Sequence, residues 1–278
     1  MRKLLSANFF RLWRSHCFWL IVGILCCWGG FVSIMMYLNI TKLGYPNTET
    51  NVYFFNGNLC LGPALAVFTA FFVGREYSDG GFRNKIAIGH KRLSLYLSNL
   101  ILCITAGILF LAAFWIGALT VGLPALGTEI LLQLEKPLPG LFYSCIATVT
   151  YSALFCLISM LDSNKARAAI IGLLIAVFLV MGGLATSNGL AEPEFTTRMA
   201  MNAEGAYEIM ENVPNSKYLS GTKRVVYQCI DALLPSCQAL RPILSNAAYP
   251  GYIPACALGW TTVLTVCGFL LFRRKDLK

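Results

Sequence analysis

What most constrains this chain is where its charges are missing. Residues 17–41, 50–74, 93–128, 137–161, 168–191 and 242–272 contain no Asp, Glu, Lys or Arg. A helix of about 20 apolar residues crosses the hydrocarbon of a bilayer while satisfying its own backbone polar groups. The runs predict six transmembrane helices, at about 18–38, 52–73, 95–121, 138–161, 168–186 and 251–272. Charged residues make up 13% of the chain, about half the share of an ordinary soluble domain. The fold class implied is all-α: a polytopic membrane protein with residues 1–278 as a single transmembrane domain.

Charge also orients the chain. With both termini cytoplasmic, the inner segments hold 15 basic residues against Glu76, Asp79, Asp162 and Asp276, and the outer ones hold 7 basic and 9 acidic residues. The inverted arrangement would contradict the retention of Lys and Arg on the cytoplasmic side at every short loop. The net charge of +9 is thus a membrane signature, pointing to a plasma-membrane location with lipid as a partner. It offers no clustered soluble basic face for nucleic acid. Most of the 11 cysteines fall inside the runs, where they act as small hydrophobes. Cys229 and Cys237 lie in the outer segment. Eight residues apart on a continuous helix they would not meet, although Pro235 can bend the chain between them.

Ahead of the first run, residues 1–16 place Leu5, Phe9, Leu12 and Trp13 on one helical face, with Lys3, Arg11 and Arg14 elsewhere. This reads as an amphipathic helix on the cytoplasmic leaflet, its bases among headgroups; the alternative is a frayed positive flank. No small-x-small cleavage pattern marks a signal peptide. In the second run Asn56 and Asn58 are candidates to line a substrate path, or simply to meet headgroup water at the outer end. Gly122-Leu123-Pro124 is expected to end the third helix, leaving a short outer loop through Lys136. The outer segment 187–249 is expected to hold two short helices. One carries Glu204, Glu208 and Glu211 at helical spacing, either to attract a cationic substrate or as a solvated face. The other is capped by Thr222, carries Val226, Ile230, Leu233 and Leu234 on one face, and is terminated by Pro235.

Between the second and third runs sits a charged island, Gly74-Arg75-Glu76-Tyr77-Ser78-Asp79-Gly80-Gly81-Phe82-Arg83-Asn84-Lys85, closed by His90-Lys91-Arg92. Gly80-Gly81 signals a sharp bend between helical turns. Glu76 is placed to brace the loop by holding Arg83 or Arg75. Catalytic groups are otherwise absent from the runs. None contains an ionisable Asp, Glu, Lys, Arg or His at depth, as intramembrane proteases or proton-coupled pumps require. His16 and His90 are too few and too isolated for a metal site. Gly122 and Gly127 have the interval of a nucleotide-binding loop, but Thr128-Glu129 stands where Lys-Ser/Thr is needed. The chain is read as no enzyme, with no catalytic, metal or cofactor residues.

The island, following one span and leading into Lys91-Arg92-Leu93-Ser94-Leu95-Tyr96-Leu97-Ser98-Asn99 at the next, resembles type-2 ABC transporter permeases. These typically show a Glu, an aromatic, Gly-Thr and a basic or amide pair at this place; Gly81 stands here where Thr is common. The resemblance covers the six-span plan, the amphipathic start and an outer segment before the last span. It implies the membrane subunit of an ATP-driven exporter that dimerises with the same or a related permease. It also implies docking on a separate ATP-binding subunit, which holds the ATP and magnesium. The 74–92 loop would be the coupling element, with Arg75, Glu76, Tyr77, Asp79, Arg83, Asn84 and Lys85 making or bracing the contact. The competing reading is that these residues only fix the loop at the headgroups. For the whole chain, the alternative is a non-transporting membrane scaffold or sensor that binds a ligand with its outer segment.

Overall fold

The structure, a computed structural model, describes residues 2–42, 50–127, 134, 137–201, 207–243 and 249–275. The charge-free runs become six helices long and apolar enough to cross a bilayer: His16–Lys42, Thr50–Ser78, Arg92–Leu126, Pro137–Leu161, Lys165–Ala191 and Tyr252–Arg274. They are called here the first to sixth spans. Each extends past its expected boundaries at one or both ends by at most five residues, because polar and basic residues sustain helix once it leaves the hydrocarbon. The expected stop at Gly122-Leu123-Pro124 is not where the third span ends. The helix carries Pro124 inside its last turn and closes at Gly127, whose φ of 75° suits glycine and whose N–H donates to the Leu123 carbonyl. The outer loop expected through Lys136 lies outside the described residues, save Leu134.

The first and third spans make the most extensive contact in the bundle. Two glycines make it possible. A side-chain carbon at Gly117 would lie 1.9 Å from the Cys26 carbonyl oxygen, and one at Gly29 would lie 2.2 Å from that of Phe114. Small residues let the backbones of neighbouring membrane helices approach this closely. Below the seam Phe18 stacks on Phe110 at 5.7 Å, and Phe68 meets Phe110 edge-on at 5.5 Å. The second span, packed on the fifth, fourth and third, is the most enclosed of the six; the sixth, which leans on the fourth, is the least.

The N-terminal helix Arg2–Trp13 packs against the third span. Its buried residues are Leu4, Asn8 and Leu12, while Phe10 and Trp13 stay exposed. Of the face read from the sequence, Leu12 is buried, Leu5 and Phe9 are half-buried and Trp13 is exposed. The difference is physical: the bundle competes with the membrane for the helix, and a polar Asn8 joins the protein-facing side because it finds hydrogen-bond partners there.

Outside the bundle, the first of the two expected short helices is a β-hairpin. Strands Phe195–Met201 and Tyr207–Pro214 pair antiparallel, with an irregularity between Thr196 and Arg198. Thr196, Thr197, Ile209 and Val213 are β-branched, and this preference outweighs the glutamate spacing. Glu208 and Glu211 lie on the second strand, and Glu204 lies outside the described residues. The second expected helix is Gly221–Leu233, starting after Ser220 with Thr222 in its first turn. Pro235 does more than terminate it, since it opens a further short helix, Pro235–Leu240, every residue of which is buried. That helix wedges between the second, fourth and fifth spans, at the start of the second and the fourth and the end of the fifth. Cys229 is exposed, Cys237 is buried, and both thiols are free.

The glycine seam yields a stability test. Gly117→Val forces a branched side chain into the backbone of the first span, and we expect a loss of about 3 kcal/mol or more. Gly23→Ala, where a side chain would meet nothing within 4 Å, should stay within about 0.5 kcal/mol of the parent. Thermal unfolding in detergent compares them directly.

Candidate functional site

The second span ends at Ser78 with Asp79 as its cap, and Gly80, at φ 66°, turns the chain through the left-handed region into the helix Gly81–Ala87. Gly89, at φ 97°, and an extended Lys91 then lead into the third span. The island is therefore a helical hairpin corner, and its conformation is set by two glycines that other residues would strain.

Its side chains divide into those that hold the corner and those that stand clear. Glu76 is 2% exposed. Its Oε1 accepts from both Arg11 Nη1 and Lys85 Nζ, and its Oε2 accepts from Asn99 Nδ2 at 3.3 Å. Lys85 also donates to Asn8 Oδ1 at 3.1 Å, and Asn8 donates to Ser98 Oγ at 3.3 Å. The Arg11 guanidinium lies 4.0 Å over the Phe72 ring. A single carboxylate thus joins the N-terminal helix, the second span, the loop helix and the third span. The expected partners Arg83 and Arg75 are not the ones bound to it. Arg75 is exposed at the end of the second span and Arg83 is exposed on the loop helix, whereas Arg11 and Lys85 reach the carboxylate from inside.

A second set of contacts fastens the corner to the C-terminal ends of the fourth and sixth spans. Tyr77 donates its hydroxyl to the Met160 carbonyl at the end of the fourth span. Lys275 donates to the same oxygen at 3.2 Å and sits 4.0 Å over the Tyr77 ring. Burial is the main influence on this ammonium and pushes its pKa down. Phe82, fully buried, packs on Tyr77 at 4.6 Å and on Phe272 at 5.7 Å. Arg92 Nη1 donates to the carbonyls of Phe272, Arg273 and Lys275 at 3.1, 2.8 and 2.6 Å, closing the C-terminus of the sixth span as a cation does best. Nearby, the turn between the fourth and fifth spans is held by Asp162, whose carboxyl drops below its usual range through the hydrogen bonds from Arg167.

Of the residues read from the sequence, Glu76, Tyr77 and Lys85 are buried or half-buried in these contacts. Arg75, Asp79, Arg83 and Asn84 are exposed, and so is Ile88 at 78%. Sequence reasoning missed Arg11, Asn8, Asn99 and Lys275. Only Asn99 carried a signal, being an amide two turns inside a span. At the end of the bundle opposite the corner, Asn58 donates to Ser144 Oγ and to the Ala239 carbonyl, both at 2.8 Å, and Asn56 accepts from Trp28 Nε1 at 3.0 Å. Asn58 thereby ties the wedged helix to the second and fourth spans. Among the described residues no three His, Cys, Asp or Glu gather as metal ligands would.

Fold and site together define a multi-pass helical membrane protein in which one buried carboxylate, Glu76, pairs with two cations at the corner between the second and third spans. Residues 4–183 match the family described as ABC-2 family transporter protein, and the chain belongs to that family. It is accordingly a transmembrane component of an ABC transporter, a family that generally is not catalytic itself and works with an ABC ATP-binding partner. A search of curated proteins finds no match to the chain.

Removing the central carboxylate leaves Arg11 and Lys85 partly buried and unpaired. Glu76→Ala is expected to cost about 3–5 kcal/mol, the range for breaking a buried pair. Asp79→Ala, at the exposed side of the same corner, should stay within about 0.5 kcal/mol. Denaturant titration of both variants in the same detergent gives the comparison; equal losses would remove Glu76 from its central place.

Proposed function

We propose that this chain is the membrane subunit of an ATP-driven exporter. It pairs with a second permease subunit to form the substrate path, and docks on a separate ATP-binding subunit through the 74–92 loop. Both termini and this loop then lie on the cytoplasmic side of the plasma membrane. The observation that carries the reading is the division of the corner. Glu76, Tyr77, Phe82 and Lys85 anchor it to the N-terminal helix and to the third, fourth and sixth spans, while Asp79, Arg83, Asn84 and Ile88 project from a rigid base. Mixed charge around an exposed apolar side chain is how a docking surface gains polar specificity together with a packed anchor. A loop serving only to float at headgroups needs no buried carboxylate behind it.

Glu76 and Lys85 act in this scheme as positioning residues, Tyr77 as the link to the fourth span, and Arg83, Asn84 and Asp79 as contacts. Asn56 and Asn58 stand at the outer end of the path. The wedged helix Pro235–Leu240, held by Asn58 and by the close approach of Ser236 to Gly183, closes that end in the conformation described.

ATP hydrolysis tests the docking. The purified chain alone is expected to hydrolyse no ATP, and its partner's hydrolysis should respond to substrate only when both are reconstituted. Arg83→Glu should uncouple the two by about ten-fold or more, as loss of a charged interface contact does, with rescue by charge reversal on the partner. Intact ATP-driven transport by Arg83→Glu, at normal membrane levels, would falsify the docking role. Orientation is read separately, in a chain whose native cysteines are replaced by serine because Cys229 is itself exposed: a cysteine at Ser216 should react with an impermeant maleimide from outside intact cells, and one at Ser78 only after permeabilisation.

A further inference from the structure

Beside the anchored corner, the N-terminal helix, the start of the first span, the end of the second and the start of the fifth border a cavity of about 220 Å³. Arg11, Arg75 and Lys165 line it with His16 and Ser15, and no acidic side chain does. Glu76 answers only one guanidinium nitrogen of Arg11. Nε and Nη2 are buried and have no hydrogen-bond partner among the described residues. A buried charged donor left unpaired bears the full cost of its desolvation. Arg75 and Lys165 do not relieve it: both are exposed cations, and among the described residues neither meets a carboxylate. Their crowding is built in. Gly74 admits the start of the fifth span so closely that a side chain there would stand 2.5 Å from Lys165 Cβ. Three cations gathered around two vacant guanidinium donors match the oxygens of a phosphate, which an arginine fork binds well.

The neighbouring surface says what carries that phosphate. Toward the membrane midplane the same first, second and fifth spans form an apolar groove of about 940 Å³, lined by Trp19, Ile24, Trp28, Val67 and Leu173 among others. On the first span the two hollows run from His16 to Phe31, about 22 Å at 1.5 Å rise per residue, which is close to the length of an extended long acyl chain. Basic pockets between membrane helices are where anionic headgroups bind.

We propose that the cavity holds the phosphate of an anionic phospholipid whose acyl chain occupies the groove. The lipid neutralises Arg11, Arg75 and Lys165 together and ties the N-terminal helix to the second and fifth spans. Arg75 then serves the membrane and not the partner subunit. The proposal needs the chain to be in a membrane and is independent of the docking surface.

Native mass spectrometry of the full chain, released from mixed phosphatidylglycerol and phosphatidylcholine bilayers, reads it. The wild type should retain phosphatidylglycerol in preference. Arg75→Gln and Lys165→Gln should each lower that retention about five-fold, the effect of one cation at a membrane surface, while Arg224→Gln in the outer segment leaves it unchanged. Both variants replace exposed residues outside the Glu76 cluster, so folding is not at stake as it is with Arg11→Gln. Equal retention of the two lipids, or retention unmoved by either variant, overturns the proposal. Inorganic phosphate added to the chain in pure phosphatidylcholine should not raise its melting temperature. A rise that the same variants abolish would assign the cavity to soluble phosphate and sink the lipid. Cross-linking of two copies through Cys27, lost in Cys27→Ser and without retained lipid, would give the groove to a second copy and overturn it equally.

Discussion

A carboxylate taken out of water is tolerated only when its charge is met at close range, and Glu76 is where this protein meets that condition. Arg11, Lys85 and Asn99 converge on it from positions far apart in the chain, so the loop, the N-terminal helix and the third span cannot adopt their arrangement one at a time. Apolar packing inside a membrane is weakly directional, because lipid tails solvate leucine as well as leucine does. Directional ion pairs therefore fix what packing leaves free, and they do so at the edge of the hydrocarbon, where the cost of charge is lowest.

The two ends of the bundle solve the same problem with different chemistry. At the corner, charges and carbonyl-capping cations dominate, and the sixth span, loosely held along its length, is fixed by Arg92 and Lys275 at its C-terminus. At the opposite end, amides and hydroxyls predominate: Asn58 with Ser144 and the Ala239 carbonyl, Gln238 with the Ala232 carbonyl. The exception there is the Asp231–Arg241 pair, mostly shielded from water. Neutral hydrogen bonds are individually weaker than charge-assisted ones, so the Asp231–Arg241 pair is the charge-assisted contact of that end.

The six spans were legible because a bilayer imposes one length and one composition, and charge-free runs report both. The corner was legible as a bend because Gly80 is needed at positive φ. What the sequence concealed is partnership across distance. Glu76 reads as a loop residue beside Arg75 and Arg83, and nothing local says that an arginine 65 positions earlier takes its charge. The hairpin at Phe195–Met201 and Tyr207–Pro214 was hidden by glutamates spaced as on a helix, a period that β-branched neighbours overrode. The wedge at Pro235–Leu240 was hidden because a proline that ends one helix can equally begin another.

The glycine contact between the first and third spans has a mechanical consequence. Where helices meet through side chains, they can slip past each other by exchanging rotamers. At Gly29 and Gly117 main chain lies directly on main chain, and there is no compliant layer to shear. The two spans must travel as one strut, with the N-terminal helix riding on it. Relative displacement then falls on the contacts this strut makes with the second, fourth and sixth spans, each of them thinner than the seam itself.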